Sequence, residues 1–521
     1  MTDLLTTRLT ALNDADAAGT LSGMRRGIEK ESLRITPRGQ LAQSLHPATL
    51  GAALTHPYLT TDYSEALLEF ITPASDRLTA PLEFLDQLHR YVYPEIGDEM
   101  LWVNSMPCAM GEDKDIPLAE YGSSNVGQMK HIYRRGLGYR YGRRMQTIAG
   151  IHYNLSFPEN FWRLYQQGEQ DTQPLQTFIS ERYMDLTRNF QRYSWLLIYL
   201  FGASPAVCTS FLAGREHALA EMFRGTLAQP FATSLRMSDL GYQNNAQSSL
   251  HISYNHLDDY VRTLTDAIKT EEPAYRDIGV LVDGEYRQLN TNILQIENEY
   301  YSSIRPKRTI HKGERPTQAL ARRGVEYVEI RALDLNPFEP LGINQTQLRF
   351  LDLFATYCLL RESPHLEARD LLASKNNIQQ VVYQGRNTGI RLCNWGTRVT
   401  LHEWASKKLD QMRPIAELFD RTHGGHRYAE ALAAQQEKVD HPALTPSARV
   451  METLSGRGQS FFEFAMEQAQ THRDHFLARP LDDATRERFA RLAQSSLQEQ
   501  RDAEAAPEKP FADYLADYFR D

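Results

Sequence analysis

The 521-residue sequence has only four cysteines, Cys108, Cys208, Cys358 and Cys393, with no CxxC pair and no metal-site spacing. That pattern excludes a structural zinc site built from clustered thiolates, and it favours a reducing compartment over a disulfide framework. Positive charge is also in short supply: 57 Lys and Arg face 66 Asp and Glu, a net charge of −9. Because polyanion binding is largely electrostatic, this balance argues against a nucleic-acid-binding protein.

Long hydrophobic runs are missing as well. The most apolar segment, WLLIYLFGASPAVC at 195–208, is shorter than the ~20 residues of a membrane span and contains Gly and Pro. The N-terminal segment, up to Met24, has the pattern of an amphipathic helix and lacks the apolar core of a signal peptide. We therefore expect a soluble, cytoplasmic protein with no membrane partner.

Several common catalytic motifs are absent or incomplete. No GxxxxGK[ST] phosphate loop and no GxSxG nucleophile motif occurs, so any ATP site has another design. THRDHFL at 471–477 resembles a kinase catalytic loop, but Arg479 stands where the metal-binding Asn belongs. HEWAS at 402–406 has Ser406 in place of the second zinc-binding His, and HGGH at 423–426 is typical of a helix-ending turn.

The hydrophobic pattern predicts an α+β protein. Apolar residues at helical spacing indicate amphipathic helices over 80–100 and 170–200, a shorter helix at 218–225, and a helical region over about 345–521. Segments with strand character lie before and between them: GMRRGIEKESLRI, ALLEFITP, TIAGIHYNLSF, LNTNILQIENEYY and VEYVEIRALDL. Since no repeat or low-complexity linker interrupts the chain, we expect residues 1–521 to form one catalytic unit with appended helices.

Two glutamates one residue apart are the first chemical signal. In the predicted strand RGIEKESLRI, Glu29 and Glu31 point to the same face, because side chains i and i+2 of a strand do so. Adjacent carboxylates repel unless a cation lies between them or one binds a proton. The alternative is a solvated edge strand in which Lys30 and Arg34 supply the compensating charge.

Other predicted strands repeat this period-two arrangement of polar residues. The candidates are His152 and Asn154 in TIAGIHYNLSF, Glu297 and Glu299 in QIENEYY, and Glu329 and Arg331 in VEYVEIRALD. In TTDYSEALLEFITP, Asp62, Glu65 and Glu69 flank an apolar run. Each has an ordinary explanation, such as a hydrogen-bonded core histidine or an exposed ion pair worth little. Together, however, they predict a sheet with one apolar face and one face rich in carboxylates.

A face with so many carboxylates requires compensating charge. Carboxylates with an occasional imidazole suit Mg²⁺ or Mn²⁺. Cations held in this way commonly bridge nucleotide phosphates, with Arg and Lys clamping the remaining oxygens. The basic segments 130–144, 232–242 and 304–308, together with Arg331, are candidate clamps. For 130–144, a solvated basic helix face is the alternative.

The ordered motifs closely resemble those of the bacterial type 1 glutamate–cysteine ligases. The resemblance covers about 20–360 and is carried by RGIEKESLRI, LTTDYSEALLEFITP, LWVNSMPC, LAEYGSSNVGQMKHIYRRGL, RYGRRMQTIAGIHYNLSF, YLFGASPAVC, ATSLRMSDLGY, NILQIENEYYSSIRPKR and RRGVEYVEIRALDLNPFEP. The C-terminal third matches that family only in length and helical character. The resemblance implies a glutamine-synthetase-like fold, in which a curved antiparallel sheet forms a funnel for metal ions and ATP.

The resemblance also implies a role for individual residues. The implied metal ligands, for Mg²⁺ or Mn²⁺, are Glu29, Glu31, Asp62, Glu69, His152 and Glu329. Arg331 would clamp phosphate and act in catalysis together with Arg236. Gln146, Asn154 and Arg236 would hold L-glutamate, and the aromatic wall of the L-cysteine site would be Tyr133, Tyr242 and Tyr301.

The implied reaction is ATP-dependent ligation of the γ-carboxylate of L-glutamate to the amine of L-cysteine through a γ-glutamyl phosphate. This is the first step of glutathione synthesis, and the resemblance implies feedback inhibition by glutathione. One alternative is another carboxylate–amine ligase of the same fold with a different acceptor. A second is a metal-dependent nucleic-acid-binding protein, in which the tyrosines and arginines of 130–144 would contact bases and phosphates.

Overall fold

The computed structural model describes residues 4–14, 17–107, 109–240, 250–311 and 313–520. In chain order, its strands are β1 (Arg25–Ile35), β2 (Leu59–Thr61), β3 (Leu67–Ile71), β4 (Met100–Leu101), β5 (Ile151–Ser156), β6 (Ala206–Cys208), β7 (Ala220–Phe223), β8 (Thr226–Ala228), β9 (Leu281–Val282), β10 (Glu285–Tyr286), β11 (Ile304–Lys307), β12 (Tyr327–Leu333), β13 (Arg391–Asn394) and β14 (Thr397–Thr400).

The α-helices surround these strands and dominate the C-terminal region. They are α1 (Leu4–Asp14), α2 (Ala80–Glu95), α3 (Asn125–Tyr141), α4 (Glu159–Gly168), α5 (Leu175–Tyr193), α6 (Trp195–Phe201), α7 (Leu257–Lys269), α8 (Pro273–Arg276), α9 (Pro316–Arg323), α10 (Gln345–Leu360), α11 (Ala368–Gln384), α12 (Leu401–His423), α13 (Arg427–Asp440), α14 (Pro446–Arg457), α15 (Phe461–Leu477), α16 (Asp483–Ala505) and α17 (Phe511–Phe519).

One seven-stranded antiparallel sheet organises the protein. Its order is β11-β12-β5-β1-β3-β2, with β4 paired to the end of β1. The long strand β1 lies at its centre, since β5 pairs with it on one side and β3 on the other. The α+β architecture and the antiparallel sheet predicted from the sequence are confirmed.

The two faces of this sheet differ as the alternation in sequence predicts. Ile28, Tyr153 and Ile330 are fully buried on the packed face, which helices cover. The register places Glu29 opposite His152, Glu31 opposite Glu69, and Glu329 opposite Asn154. These residues therefore share the other face, which we call the acidic face. It is the face on which the candidate site lies.

A buried ion pair joins the packed face to the C-terminal helices. Arg26 of β1 and Asp352 of α10 are both fully buried and lie 2.8 Å apart, from Nη2 to Oδ2. Tyr153 of β5 and Tyr428 of α13 each donate a hydroxyl hydrogen bond to Asp352, at 2.8 and 3.0 Å. The carboxylate thus has partners from three other elements, and this network holds the sheet against the helices.

Two local predictions are wrong. LNTNILQIENEYY forms turns and a short 3₁₀-helix at Glu297–Glu299 instead of a strand. Residues 218–225 contribute to the hairpin of β7 and β8 instead of a helix. In both cases tertiary partners override a local pattern that fits either structure. The helices expected over 80–100 and 170–200 are present, as α2 and as α5 with α6.

The cysteine pattern favours a reducing compartment over a disulfide framework, and this prediction needs a correction. Cys208 is disulfide-bonded, whereas Cys358 and Cys393 are free thiols. Within the described ranges, none of the helices combines the length and the apolar character that crossing a membrane requires. That residues 1–521 act as a single catalytic unit stays a prediction.

Candidate active site

Three strands supply the centre of the site. β1, β5 and β12 lie side by side, and each presents one candidate ligand on the acidic face. Nδ1 of His152 lies 3.0 Å from Oε2 of Glu29 and 3.8 Å from Oε1 of Glu329. One ligand atom from each of these three side chains lies within 4.8 Å of the other two. The sequence pattern thus predicted a real convergence of distant residues.

The remaining predicted acids extend this cluster across β1. Glu31 lies 3.7 Å from Nε2 of His152 and accepts a hydrogen bond from the Gly150 main chain at 2.7 Å. Glu69 pairs with Glu31 across the β1–β3 ladder. Asp62, just beyond β2, interacts electrostatically with both. The structure brings these acids to one region, but it records no hydrogen bond between the Asp62 or Glu69 side chain and another described residue.

Basic side chains concentrate at the Glu329 end of the cluster. Nη1 of Arg331 lies 3.2 Å from Oε1 of Glu329, and Nζ of Lys307 lies 3.3 Å from its Oε2. Arg305, on the neighbouring strand, is paired with Glu329 in register. These cations come from β11 and β12, which form the edge of the sheet. The arrangement gives the acidic face a positive end and a negative end.

This uneven distribution of charge shifts the pKa values of the carboxyl groups in opposite directions at the two ends of the cluster. Burial would raise the pKa of Glu329, but Lys307 and Arg331 outweigh it and hold that pKa well below its usual range. Burial likewise opposes ionisation of Glu29, yet the hydrogen bond with His152 leaves its pKa lowered. Burial and the like charges of Glu29 and Asp62 raise the pKa of Glu69 well above its ordinary value. Burial also raises the pKa of Glu31.

The donor set fits a hard divalent cation. Carboxylate oxygens with one imidazole nitrogen are ligands that Mg²⁺ and Mn²⁺ accept in proteins. Within the described residues, Oε2 of Glu329 is buried and accepts no hydrogen bond, and its nearest cation is Nζ of Lys307 at 3.3 Å. The raised pKa values of Glu31 and Glu69 mark the end of the cluster where positive charge is deficient. A divalent ion there would relieve the repulsion between these carboxylates.

Arg236 approaches the site through a gap left by a glycine. A Cβ atom on Gly150 would lie 2.1 Å from Nη2 of Arg236, so only glycine leaves room for the guanidinium. Arg236 donates to the main-chain oxygen of Arg331 at 2.8 Å, and no described residue is a hydrogen-bond partner of its buried Nε. The Tyr301 hydroxyl and Nη1 of Arg236 both approach the Met237 sulfur, at 3.4 and 3.3 Å. Arg236 and Tyr301, predicted to bind substrate, are therefore neighbours.

The other residues predicted to bind substrate differ in their contacts with the acidic cluster. Asn154 donates to Oε1 of Glu29 at 2.8 Å, while its own amide oxygen is buried without a partner. Tyr133, on α3, is close enough to Asp62 and Arg305 to interact with their charges. Gln146 is buried in the 3₁₀-turn before β5, and among the described residues no hydrogen bond joins its side chain to the cluster. Tyr242 lies outside the described residues.

The basic segment 130–144 is engaged within the protein. Arg134 donates to the main-chain oxygen of Asp62, and Arg140 forms a fully buried ion pair with Glu299 at 3.0 Å. Arg135 pairs with Glu285 at 2.6 Å. These contacts fix α3 beside the acidic face. They weaken both alternatives for this segment, a solvated basic face and a nucleic-acid-binding surface.

Some site residues were missed by the sequence reasoning. The sequence predicts IRPKR as a basic segment but does not identify Arg305 and Lys307 as neighbours of Glu329. Their period-two spacing, which repeats that of Glu329 and Arg331, was the available signal. Glu297 and Glu299 share the same spacing, yet they bind Thr317 and Arg140 away from the cluster. Spacing alone therefore does not separate site residues from structural ones.

Comparison with known proteins gives a consistent result. A family model described as glutamate–cysteine ligase matches residues 9–381. A glutamate–cysteine ligase of Alcanivorax borkumensis is 70% identical over 519 residues, covering 99% of both chains. One of Azotobacter vinelandii is 50% identical over 521 residues, covering 99% of this chain and 98% of that one.

Solved structures extend the likeness to the fold. A crystal structure of a glutamate–cysteine ligase from Francisella tularensis in complex with AMP superposes with a TM-score of 0.90 at 36% identity, covering 95% of this chain and 97% of that one. A bifunctional glutathione synthetase from Pasteurella multocida gives a TM-score of 0.72 at 23% identity, covering 90% and 55%. At that identity the second match concerns the fold alone.

Proposed function

Because the chain belongs to the glutamate–cysteine ligase family, we propose that it joins the γ-carboxylate of L-glutamate to the amine of L-cysteine with cleavage of ATP, and that the acidic face is its active site. The observation that carries the proposal is the convergence of Glu29, His152 and Glu329 from three adjacent strands. AMP in the Francisella tularensis relative supports a nucleotide site in this fold.

The acidic face suits a bound divalent ion, Mg²⁺ or Mn²⁺. Glu29, His152 and Glu329 would hold one ion, and Glu31, Asp62 and Glu69 would hold further positive charge at the other end of the cluster. The bound ions would neutralise the phosphate oxygens of ATP. Glu31 is preorganised for this role because the Gly150 main chain already fixes one of its oxygens.

Arg331 acts on the phosphate being transferred. A carboxylate is a poor acyl donor, so the γ-carboxylate of glutamate first attacks the γ-phosphate of ATP, giving γ-glutamyl phosphate and ADP. Arg331 is held by Glu329 and lies at the positive end of the face. From there it stabilises the charge that develops on the equatorial oxygens during transfer.

Arg236 and Asn154 orient the glutamate. The Arg236 guanidinium fills the space above Gly150 and has a buried Nε–H without a partner, which suits the α-carboxylate. The unpartnered amide oxygen of Asn154 is an acceptor for the α-ammonium group. Gln146 would complete this pocket. These contacts leave the γ-carboxylate directed toward the acidic face.

The second half-reaction needs an amine and protection from water. The deprotonated amine of cysteine attacks the acyl phosphate, inorganic phosphate leaves, and an amide is formed. Tyr133, Tyr242 and Tyr301 would provide the wall for cysteine, and exclusion of water by these rings preserves the acyl phosphate. We place this reaction in the cytoplasm and expect glutathione to inhibit it by occupying the glutamate and cysteine pockets.

The test compares acceptors directly. ADP release and amide formation are measured with L-glutamate and ATP, adding L-cysteine, 2-aminobutyrate or ammonia. We expect cysteine to give the largest kcat/KM, 2-aminobutyrate a reduced one, and ammonia almost none. A marked preference for ammonia would identify another carboxylate–amine ligase of the same fold. Turnover unaffected by millimolar glutathione would refute the proposed inhibition.

A further inference from the structure

A second cavity lies apart from the acidic face, where α5, α11 and α12 meet the β13–β14 hairpin. It has a volume of about 340 Å³, which falls within the range of sites for small molecules. Its walls include Arg192, Asn377, Cys393, Trp395 and Trp404. None of its lining residues belongs to the acidic face, so it has no part in the ligation described above.

Arg192 is the unusual group in this cavity. Its side chain is only 6% exposed, yet no carboxylate of the described residues lies within 4.0 Å of it. Nη2 donates to the main-chain oxygens of Pro364 and His365, at 2.5 and 3.1 Å, and Nη1 lies 3.5 Å from the Asn189 amide oxygen, while among the described residues the buried Nε has no hydrogen-bond partner. Burial lowers the pKa of Arg192, the expected effect on a cation removed from water. Buried charges are ordinarily paired, so we expect an anionic ligand to pair with the Arg192 guanidinium.

Asp370 and Asp185 are near enough for their charges to act on Arg192, but neither forms an ion pair with it in the described part of the chain, and Asp185 pairs with Arg182 and Arg188. Asp370 accepts a hydrogen bond from the main chain of Glu367 at 3.0 Å and so completes the N-terminal cap of α11. Asn377 exchanges two hydrogen bonds of 2.8 Å with the main chain of Cys393. Arg369 pairs with Glu367 at 3.1 Å on the exposed rim. These groups already have hydrogen-bond or ion-pair partners, whereas the Arg192 Nε–H has none among the described residues.

Trp395 covers Arg192 from a strained position. Its ring centroid lies 5.1 Å from the Arg192 guanidinium carbon, and its side chain is 56% exposed. Its φ is +51° and that of Gly396 is +83°, a pair of values found in type I′ turns, where Asn-Gly is favoured. A bulky residue there is uncommon, and such strain is often retained at ligand-binding positions. Burial of the ring is not the reason for its presence, since most of it faces solvent.

We propose that this cavity binds a small organic carboxylate with a flat apolar body. The carboxylate would pair with Arg192, and the body would lie between Trp395 and the inner wall formed by Trp404 and Tyr193. Trp404 is buried and is itself fixed by Trp195, at 4.7 Å between ring centroids. The site thus has a rigid inner ring, a half-exposed outer ring and an unpaired cation between them.

The experiment uses the full-length protein and three small probes. Benzoate carries both features, benzyl alcohol has the ring without the charge, and acetate has the charge without the ring. Binding is measured by calorimetry, and tryptophan fluorescence is followed in parallel. We expect saturable binding of benzoate, with affinities for benzyl alcohol and acetate at least tenfold weaker. Equal binding of benzoate and benzyl alcohol, or no saturable binding of benzoate, would overturn the proposal.

Three variants and a matched control locate the binding. Trp395→Asn places the favoured Asn-Gly pair in the turn, so the variant should fold with an equal or higher Tm while benzoate affinity falls at least tenfold. Arg192→Gln should lose affinity to the same extent, and Arg192→Lys, which keeps the charge, should lose less. Arg369→Gln, on the exposed rim, should change affinity less than twofold. Unchanged affinity in folded Trp395→Asn would contradict the assignment, and the ligase reaction should be unaffected by that variant.

Discussion

The two faces of the central sheet treat buried charge in opposite ways, although the same strands build both. On the packed face, Arg26 and Asp352 are matched in charge, and both oxygens of the carboxylate accept hydrogen bonds. On the acidic face, Asn154 Oδ1 and Arg331 Nε are buried without hydrogen-bond partners among the described residues, and no ion pair of the described residues involves the Asp62 or Glu69 carboxylate. The matched network on the packed face stabilises the fold. The unmatched groups on the acidic face are available to bind a divalent ion and substrate. Alternation along β1 and β5 keeps the two roles apart.

The largest effect is expected on the acidic face. Glu329→Gln removes a charge that holds both Arg331 and the proposed ion, so kcat/KM should fall by at least about 10³-fold, or about 4 kcal/mol. Its free energy of unfolding should also fall, because Arg331 and Lys307 lose the carboxylate with which they pair, but by less than in Asp352→Ala because these two cations are 21% and 29% exposed. Steady-state kinetics and urea unfolding measure the two quantities. Near-normal activity would remove Glu329 from the ligand set, and Glu29→Gln should behave as Glu329→Gln does.

The converse is expected on the packed face. Asp352→Ala leaves the fully buried Arg26 without its counter-charge, which costs about 3–5 kcal/mol of unfolding free energy. Tyr428→Phe, the matched control, removes one hydrogen bond to the same carboxylate and should cost about 1 kcal/mol. Urea denaturation measures the change in unfolding free energy of both variants, provided that their m-values equal that of the parent. If Asp352→Ala were as stable as the parent but inactive, the division between the two faces would be wrong.

A smaller loss of activity is expected when the acidic face loses a charge at the end opposite to Glu329. Glu31→Gln keeps the hydrogen bond from Gly150 possible through its amide oxygen but removes a proposed metal ligand. We expect the Mg²⁺ concentration for half-maximal activity to rise by about 10–100-fold, with much of kcat recovered at saturating Mg²⁺. An unchanged Mg²⁺ requirement would exclude Glu31 from metal binding.

An effect outside the acidic face concerns pH and the loop that leads into β2. Nδ1 of His56 accepts hydrogen bonds from the main chains of Tyr58 and Leu59, at 3.1 and 2.9 Å, and burial lowers the pKa of His56 to about 4. Because the folded pKa lies below the unfolded value of about 6.5, this stabilisation is complete above pH 6.5 and is lost as pH falls toward 4.

Unfolding measured between pH 7 and pH 4 should therefore show a loss of about 3 kcal/mol that depends on His56. His56→Asn, whose amide oxygen can accept from the same main-chain groups, should lose less over that interval. An identical pH dependence in the two proteins would show that other groups cause the acid sensitivity.

Much of the acidic face was predictable, because strand periodicity is local. Glu29, Glu31, His152 and Glu329 each follow from an alternating pattern within a few residues, and their convergence needs only that the strands pair in register. The α+β class follows from the same patterns. The individual pairings of Lys307 and Arg305 with Glu329 do not, because they depend on the register between two strands separated by a helix and loops.

Structural use of the same residue types explains the wrong predictions. Glu297 and Glu299 have the spacing of Glu29 and Glu31, but partners on α3 and α9 hold them in a 3₁₀-turn. No local signal distinguishes the two pairs, since the difference lies in which cations the fold brings near. The C-terminal helices were predicted from their periodicity. Their contacts with the sheet, such as Tyr428 with Asp352, come from tertiary packing.

Divalent-cation binding by the carboxylates of the acidic face underlies the proposed reaction. The most direct measurement is Mn²⁺ binding, followed by electron paramagnetic resonance of free Mn²⁺, in the parent protein and in Glu329→Gln, with Asp352→Asn as a control from the packed face. We predict stoichiometric binding in the parent that weakens at least tenfold in Glu329→Gln and is retained in folded Asp352→Asn. Equal Mn²⁺ affinity in the parent and Glu329→Gln would contradict the account.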